Sequence, residues 1–298
     1  GAQRFSALRA LGEVMGLVLS DRSIYDPSVQ ASPTASGRAE HASACTKLIH
    51  EMLVRSLLPK FGALLGDKEP LPSHGIIILR LVMEHNSAFG IILHRLGLVP
   101  RIIGFLDPSS SHCSSQVASL VKLLVECGDI DLSELYDSGL GDKAGALVDH
   151  MAATHAEAFY EPVLETVSAI MYHTASQVQD VEDDGGDPSA LLDRNLPLLE
   201  CAPSLSALCI LSSGAEDPLT PDGGGVYDAP VCEAASQCLL LLAHSHPLHA
   251  LCGPDTASRV AEGLRAGNST VRKRLLKAVM WMVEAGDPGA VEGALVEL

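Results

Sequence analysis

Residue types that bind zinc are grouped near the C-terminal third of the chain. The group consists of His244, His246, His249 and Cys252, and imidazole and thiolate are the usual zinc ligands. Pro247 falls between them, and proline ends or breaks helices. The pattern is therefore also typical of a polar turn between two helices. We favour the turn and predict no metal site here.

A second group of residues imitates the start of a calcium-binding loop. Asp180, Glu182, Asp184 and Gly185 have the spaced oxygens and the glycine turn that surround the ion in such loops. The twelfth position is Leu191, where the loop needs a bidentate glutamate. We therefore interpret the segment as an exposed acidic loop without a bound ion.

Motifs for catalysis are missing from the sequence. It contains no His-Arg-Asp loop, no Asp-Phe-Gly and no glycine-rich phosphate loop. The run Gly223 to Gly225 lacks the Lys and Ser/Thr that follow in a P-loop, so it is typical of a flexible turn. His50 is followed by Val54 at the place where a metalloprotease needs a second histidine. We predict no catalytic residue, no cofactor and no enzyme activity.

Basic and aromatic residues form a stripe on the helix predicted for 268–284. The candidate partner-binding residues are Arg272, Lys273, Arg274, Lys277 and Trp281. The last three follow at steps of three and four, so they share one flank of the helix. Arginine and tryptophan are frequent hot-spot residues. For Trp281 we favour packing against a final helix over 291–298, because aromatic side chains mostly supply buried area.

Composition and charge limit the class of partner. Hydrophobic residues make up 47% of the 298 residues and charged residues 19%, which predicts a folded chain. The net charge of -17 opposes binding to nucleic acid and to anionic membranes. The longest apolar runs, such as 239–243, are far shorter than the roughly 20 residues of a membrane span. We expect a soluble piece of a longer protein, since it begins with Gly1 and no signal pattern.

The cysteines indicate a reducing compartment. They stand at positions 45, 113, 127, 201, 209, 232, 238 and 252, mostly in apolar stretches, and none has C-x-x-C spacing. A chain with this much apolar surface does not need disulfide bonds for stability. We predict free thiols in the core and a location such as the cytosol.

An internal repeat is the strongest pattern in the sequence. At an offset of 42, residues 78–84 match 120–126, apolar with apolar, base with base and acid with acid, and Gly97 falls on Gly139. A helical period near 40 indicates solenoid units, because each unit leaves an apolar face for the next to cover. The fold prediction is an all-α, irregular armadillo/HEAT-type α-solenoid of about five or six units.

The repeat also predicts positions inside the helices. Leu81 and Leu123 are equivalent at the 42-residue offset, and we expect both to be buried. Apolar residues at three- and four-residue steps predict further long helices over 231–243 and 271–283. No alternation typical of strands occurs.

The chain divides into four predicted segments. They are 1–43, an N-terminal helix and exposed loop; 44–180, armadillo-like repeats; 181–230, helices with acidic and Gly/Pro-rich loop insertions; and 231–298, C-terminal armadillo/HEAT-like repeats. Three stretches rich in Gly, Pro and Asp are predicted as exposed loops, at 21–38, 180–188 and 214–230.

Several runs resemble a known kinase family. Residues 70–74 (PLPSH), 84–86 (EHN) and 96–102 (LGLVPRI) are similar to the C-terminal repeat region of the Runkel-like kinases, relatives of Fused and of the fourth uncoordinated-fifty-one-like kinase. Residues 135–140 and 234–239 resemble later parts of the same region more loosely. The resemblance covers the chain from residue 44 onward, and the Gly/Pro-rich insertions depart from the family pattern.

The resemblance implies a parent protein with an N-terminal kinase-like domain, often a pseudokinase, and this segment as its non-catalytic scaffold tail. It implies a role in microtubule organisation and in motile cilia, with ciliary or microtubule-associated proteins as partners in a larger complex. The implied location is the cytoplasm and cytoskeleton, with the ciliary axoneme in first place. The alternative is a generic armadillo adaptor for peptide or cargo recognition with no kinase domain.

Overall fold

A computed structural model describes residues 2–20, 44, 47–128, 130–210, 228–247, 250–251 and 254–286. Every regular element in these ranges is helical, and the ranges contain no β-strand. The all-α prediction is therefore confirmed.

The helices vary widely in length. In chain order they are α1 (Ala2–Ser20), α2 (Phe61–Leu64), α3 (Leu71–His85), α4 (Phe89–Arg95), α5 (Val99–Gly104), α6 (Ser115–Glu126), α7 (Leu132–Asp137), α8 (Leu140–Thr154), α9 (Glu157–Asp183), α10 (Ser189–Leu192), α11 (Leu196–Glu200), α12 (Ala202–Leu208), α13 (Ala229–Ser245), α14 (Pro254–Ala266) and α15 (Ser269–Ala285). A helical stretch over 47–52, a π-helical turn (Leu53–Leu57) and a 3-10 turn (Leu58–Lys60) precede α2, and a second 3-10 turn (Asp193–Asn195) follows α10.

The long helices form one layer of a stack. Helix α1 packs on α3, and α3, α6, α9, α13 and α15 then pack side by side in chain order. The other helices form a second layer behind them, in which α5 contacts α8, α8 contacts α11 and α12, and α12 contacts α14. Each helix of the first layer, together with the second-layer helices before it, makes one unit, so the described residues hold five units after α1. This arrangement confirms the predicted irregular α-solenoid.

The 42-residue repeat is visible in the burial of α3 and α6. The buried pairs are Ile78 with Leu120, Leu79 with Val121, Val82 with Leu124, and Met83 with Val125. The turns repeat as well, because Gly97 has φ 66° and Gly139 has φ 79°. Glycine suits both positions, since side chains with a Cβ rarely adopt positive φ. Equivalent residues thus share both burial and backbone conformation.

The prediction that Leu81 and Leu123 are buried is wrong, because both are only half-buried. The two leucines do occupy equivalent places, at the edge of the core. The buried stripe of α3 follows residues 78, 79, 82 and 83. A residue at position 81 lies on the flank of that stripe, because successive residues are turned by about 100° around the helix.

One of the three predicted exposed loops can be compared with the structure over its whole length. All of 21–38 and most of 214–230 lie outside the described residues. In the third, α9 continues to Asp183, so the predicted loop at 180–188 begins as the last turn of a helix. The turn that follows has Gly185 at φ 73°. Its backbone N–H bonds to Glu182 O, which satisfies one of the free carbonyls at the helix end.

We predict that Leu79→Ala lowers the free energy of unfolding by about 2–5 kcal/mol, because it leaves a cavity at a fully buried site. Leu81→Ala is the matched control on the same helix. It removes the same atoms from a half-buried site and should cost about 1 kcal/mol. Urea unfolding followed by circular dichroism measures both. Equal losses would contradict the assigned helix face.

Candidate partner-binding surface

A row of charged side chains crosses the long-helix layer. Arg80 and Glu84 form an ion pair on α3, and Lys122 and Glu126 repeat it on α6 with 3.9 Å between Nζ and the carboxylate. Lys122 Nζ also lies 2.5 Å from the Glu165 carboxylate on α9. The hydrogen bond to Glu165 raises the pKa of Lys122, so the ammonium stays charged. The row shows that the polar positions repeat together with the core.

Two adjoining cavities lie along the seam between α9 and α13. The larger has a volume of about 660 Å³ and includes Ser168, Tyr172 and Gln237 in its lining. The smaller has a volume of about 520 Å³ and includes Glu157, Glu161 and Asp228. Both are lined by Leu164, Glu165 and Ala234, so they form one continuous depression. We call it the seam trough.

The predicted basic and aromatic stripe lies on the side of α15 that faces α13. The Trp281 ring is 4.7 Å from the His244 ring, and Lys277 Nζ is 4.7 Å from the centre of the Trp281 ring. Arg274 Nη1 donates to Glu233 O at 2.6 Å. The shared flank of Arg274, Lys277 and Trp281 is therefore found, with Trp281 packed on His244. The predicted contact with 291–298 lies outside the described residues.

The two remaining candidates are separate from that flank. Arg272 and Lys273 are exposed, as is Lys277. Arg274 is half-buried and is already used in the contact between α15 and α13. Binding of a partner by these five residues stays a prediction.

The histidine and cysteine group is only partly described, since His249 and Cys252 lie outside the described residues. Helix α13 ends at Ser245, so the chain turns where Pro247 was expected to end a helix. His246 Nδ1 lies 3.1 Å from Ser245 Oγ. Within the described part of the chain, no three His, Cys, Asp or Glu side chains are placed to hold a metal ion.

The calcium-like group has a different backbone from a calcium loop. Asp180 and Glu182 lie in the last turn of α9, and Leu191 lies in α10. Side chains two residues apart on a helix point in nearly opposite directions. The carboxylates therefore do not converge on one point.

The described cysteines are free thiols. Cys201, Cys209, Cys232 and Cys238 are buried, as predicted for core thiols, whereas Cys113 and Cys127 are only half-buried. Burial raises the pKa of the Cys232 thiol to about 11 and that of Cys238 to about 12. These thiols are protonated and unreactive at neutral pH, because the thiolate is the nucleophile.

Polar contacts between units join residues about one repeat apart. Arg101 Nη1 donates to Gly62 O, 39 residues away, and Cys127 Sγ donates to Ser87 O, 40 residues away. The contact from Arg274 to Glu233 spans 41 residues. Neighbouring units are therefore joined by hydrogen bonds as well as by apolar packing.

A hydrogen bond between two side chains also joins neighbouring units, and it involves Tyr136 on α7. Its hydroxyl donates to Asn195 Oδ1 at 2.8 Å and lies 3.3 Å from Thr174 Oγ1 on α9. Asn195 and Thr174 are each 1% exposed. Burial raises the pKa of Tyr136 to about 12, so the hydroxyl remains a donor at neutral pH. The contact ties α7 to the next unit.

The seam trough was missed by the sequence analysis. Its glutamates Glu157, Glu161 and Glu165 follow at four-residue steps, and Tyr172 continues the same face of α9. That spacing was the sequence signal for an acidic face on this helix. It could not show which face of α9 is covered, because this depends on how α13 packs.

Two comparisons bear on the identity of the chain. Residues 1–90 match the family described as serine/threonine-protein kinase ULK4-like, HEAT repeats. Mouse serine/threonine-protein kinase ULK4 is 26% identical over 259 residues, which cover 80% of this chain and 18% of the mouse protein. The chain is similar to the HEAT-repeat region of ULK4-like kinases. The resemblance predicted from residues 70–74 and 84–86 is confirmed.

Solved structures agree with the repeat fold of this chain. An engineered protein superposes with a TM-score of 0.57 at 13% identity, covering 98% of this chain and 64% of that protein. A designed armadillo repeat protein superposes with a TM-score of 0.51 at 11% identity, covering 90% and 99% of the two chains. At these identities the likeness shows the repeat fold alone. No described helix is both long and apolar enough to cross a membrane.

We predict that Tyr136→Phe lowers the free energy of unfolding by about 1–3 kcal/mol, because Asn195 Oδ1 stays buried and loses its donor. Tyr172→Phe on α9 is the control. It removes the same hydroxyl from a side chain that is 65% exposed, and should change stability by less than about 0.5 kcal/mol. Thermal or urea unfolding distinguishes the two variants. An unchanged stability of Tyr136→Phe would show that the buried contact is dispensable.

Proposed function

We propose that this chain is a non-catalytic protein-interaction scaffold, the C-terminal tail of a Fused- or Runkel-like kinase or pseudokinase. The observation that carries the proposal is the similarity to the ULK4-like HEAT region in a chain whose long helices share one layer. Each unit of such a stack contacts only its neighbours, so the faces of the long helices stay available to partners along the stack.

The parent protein is proposed to act in microtubule organisation and in the assembly of motile cilia, including the central apparatus of the axoneme. Its proposed location is the cytoplasm and cytoskeleton, with the axoneme first. Ciliary or microtubule-associated proteins are the proposed partners, within a larger complex. Family resemblance supports this part of the proposal. Protein partners are also favoured by the net charge of -17, which opposes binding to nucleic acid.

The second candidate function is a generic armadillo adaptor for peptide or cargo binding. The likeness of the fold to a designed armadillo repeat protein, over 90% of this chain, favours it. The sequence of the parent transcript separates the two candidates. A kinase-like domain upstream supports the first, and its absence supports the second.

Affinity purification of the parent protein, with and without this 298-residue segment, tests the scaffold role directly. We expect deletion of the segment to remove a specific set of co-purifying proteins, because the scaffold surface is removed. Recovery of the same proteins in both purifications would contradict the proposal. Equal expression of the two forms is the control.

We also predict that the purified segment binds bare microtubules weakly, because its negative charge opposes the acidic tubulin surface. Co-sedimentation measures this. Exposed Lys273 and Lys277 are the places where local charge could override the net charge. Arg274 is left unchanged, since it holds α15 to α13.

Lys273→Glu with Lys277→Glu is compared with Lys60→Glu and Lys68→Glu, an equal charge change at exposed sites elsewhere. Strong sedimentation of the wild type that is lost only in the first variant would contradict indirect binding. Circular dichroism must accompany the test, because Lys277 contacts Trp281.

A further inference from the structure

We propose that the seam trough binds an amphipathic helix of a partner protein, whose apolar stripe is flanked by lysine or arginine residues. This inference rests on the proposed scaffold function and deepens it, because it names a binding site and the chemistry of its occupant. The site adjoins the predicted stripe, because Arg274 on α15 also lines the larger cavity.

The length and direction of the trough fit a helix. Its residues on α9 run from Glu157 through Leu164 to Tyr172, all on one face at steps of three and four. At 1.5 Å per residue this face is about 22 Å long, which corresponds to about four helical turns. The trough follows the seam between two helices, and such a depression accepts the ridge of a third helix.

An extended peptide fits the same surface poorly. The walls of the trough are α9 and α13, whose backbone groups are used within the helices. An extended chain in the trough would therefore find no backbone groups in the walls to pair with its own N–H and C=O groups. A helix satisfies those groups internally and presents only side chains.

The floor of the trough is apolar. It includes Leu164, Val231 and Ala234, of which the last two are half-buried. Tyr172 stands at the other end of the trough with 65% of its surface exposed. Tyrosine is enriched among the residues that contribute most of the binding free energy at protein interfaces.

The smaller cavity of the trough has an acidic rim, whereas Arg274 lines the larger cavity. Glu157, Glu161, Glu165 and Asp228 line the smaller cavity, and none of the residues that line it is basic. The neighbouring Lys122 already contacts Glu165 and Glu126. Lysine or arginine on both flanks of the bound helix would complement these carboxylates. A second copy of this chain is a poor occupant, because it would bring a further charge of -17.

The test uses the whole 298-residue chain and a fluorescent 18-residue peptide of leucine and lysine, arranged so that the leucines form one face of a helix. Fluorescence anisotropy at low salt measures binding. Two further peptides serve as probes: a scrambled one of the same composition without an apolar face, and one with glutamate in place of lysine. We expect the helical lysine peptide to bind more tightly than either.

The decisive variant is Glu157→Gln with Glu161→Gln and Asp228→Asn, which removes three rim charges and leaves the contact of Glu165 with Lys122 intact. We expect it to weaken binding of the helical peptide at least about fivefold, from the loss of three exposed ion pairs. The matched control is Asp180→Asn with Glu182→Gln and Asp184→Asn, the same charge change at exposed sites outside the trough. It should change binding less than about twofold.

Tyr172→Ala tests the apolar part of the site and should weaken binding about tenfold. Because this side chain is largely exposed, circular dichroism should show an unchanged fold. Equal weakening by the rim variant and its control, or equal binding of the scrambled peptide, overturns the proposal. So does a dimer of the free chain that the rim variant dissociates, since the occupant would then be a second copy.

Failure of this proposal is distinguishable from failure of the scaffold function. The rim substitutions are introduced into the parent protein for this comparison. If deletion of the whole segment removes the co-purifying proteins but the rim substitutions remove none of them, the trough is not the binding site for those proteins. The scaffold role then stands on another surface. If deletion removes nothing, the scaffold role itself fails.

Discussion

The apolar face that each long helix presents to the next is the contact on which the rest of the structure depends. In α3 and α6 it consists of matching buried residues, such as Leu79 and Val121, repeated 42 residues apart. Burying one such side chain stabilises a protein by about 1.5–3 kcal/mol. A single unit of about 40 residues has too little interior to offset its loss of chain entropy. Each unit is therefore stable only with its neighbours, and the stack forms as a series.

Polar contacts determine how neighbouring units are oriented in this packing. Apolar burial favours any close approach of two helices, whereas the hydroxyl of Tyr136 has a buried partner in Asn195 only in one arrangement of the units. The exposed ion pair of Arg80 with Glu84 contributes at most about 1 kcal/mol, so it has little effect on stability. Buried hydrogen bonds between units thus determine orientation, while the apolar stripes supply most of the free energy.

A surface built in this way belongs to several units at once. The seam trough combines Glu157 from one unit with Asp228 from the next, and Glu126 and Arg274 reach its larger cavity from the units on either side. A partner that binds there contacts residues far apart in the sequence. Its binding would also hold the units in their relative positions. This property suits a scaffold, because each unit of such a stack contacts only its neighbours.

The sequence by itself determined the helical class, the repeat of 42 residues and the resemblance to a kinase-associated repeat region, because apolar periodicity and turn glycines such as Gly97 and Gly139 are local properties. It also placed Arg274, Lys277 and Trp281 on one helix flank. Only the tertiary structure decided that Leu81 is half-buried, that Trp281 packs on His244, and that the glutamates of α9 line an open trough. Periodicity defines the faces of a helix, but the packing angle of its neighbours determines which of those faces is covered.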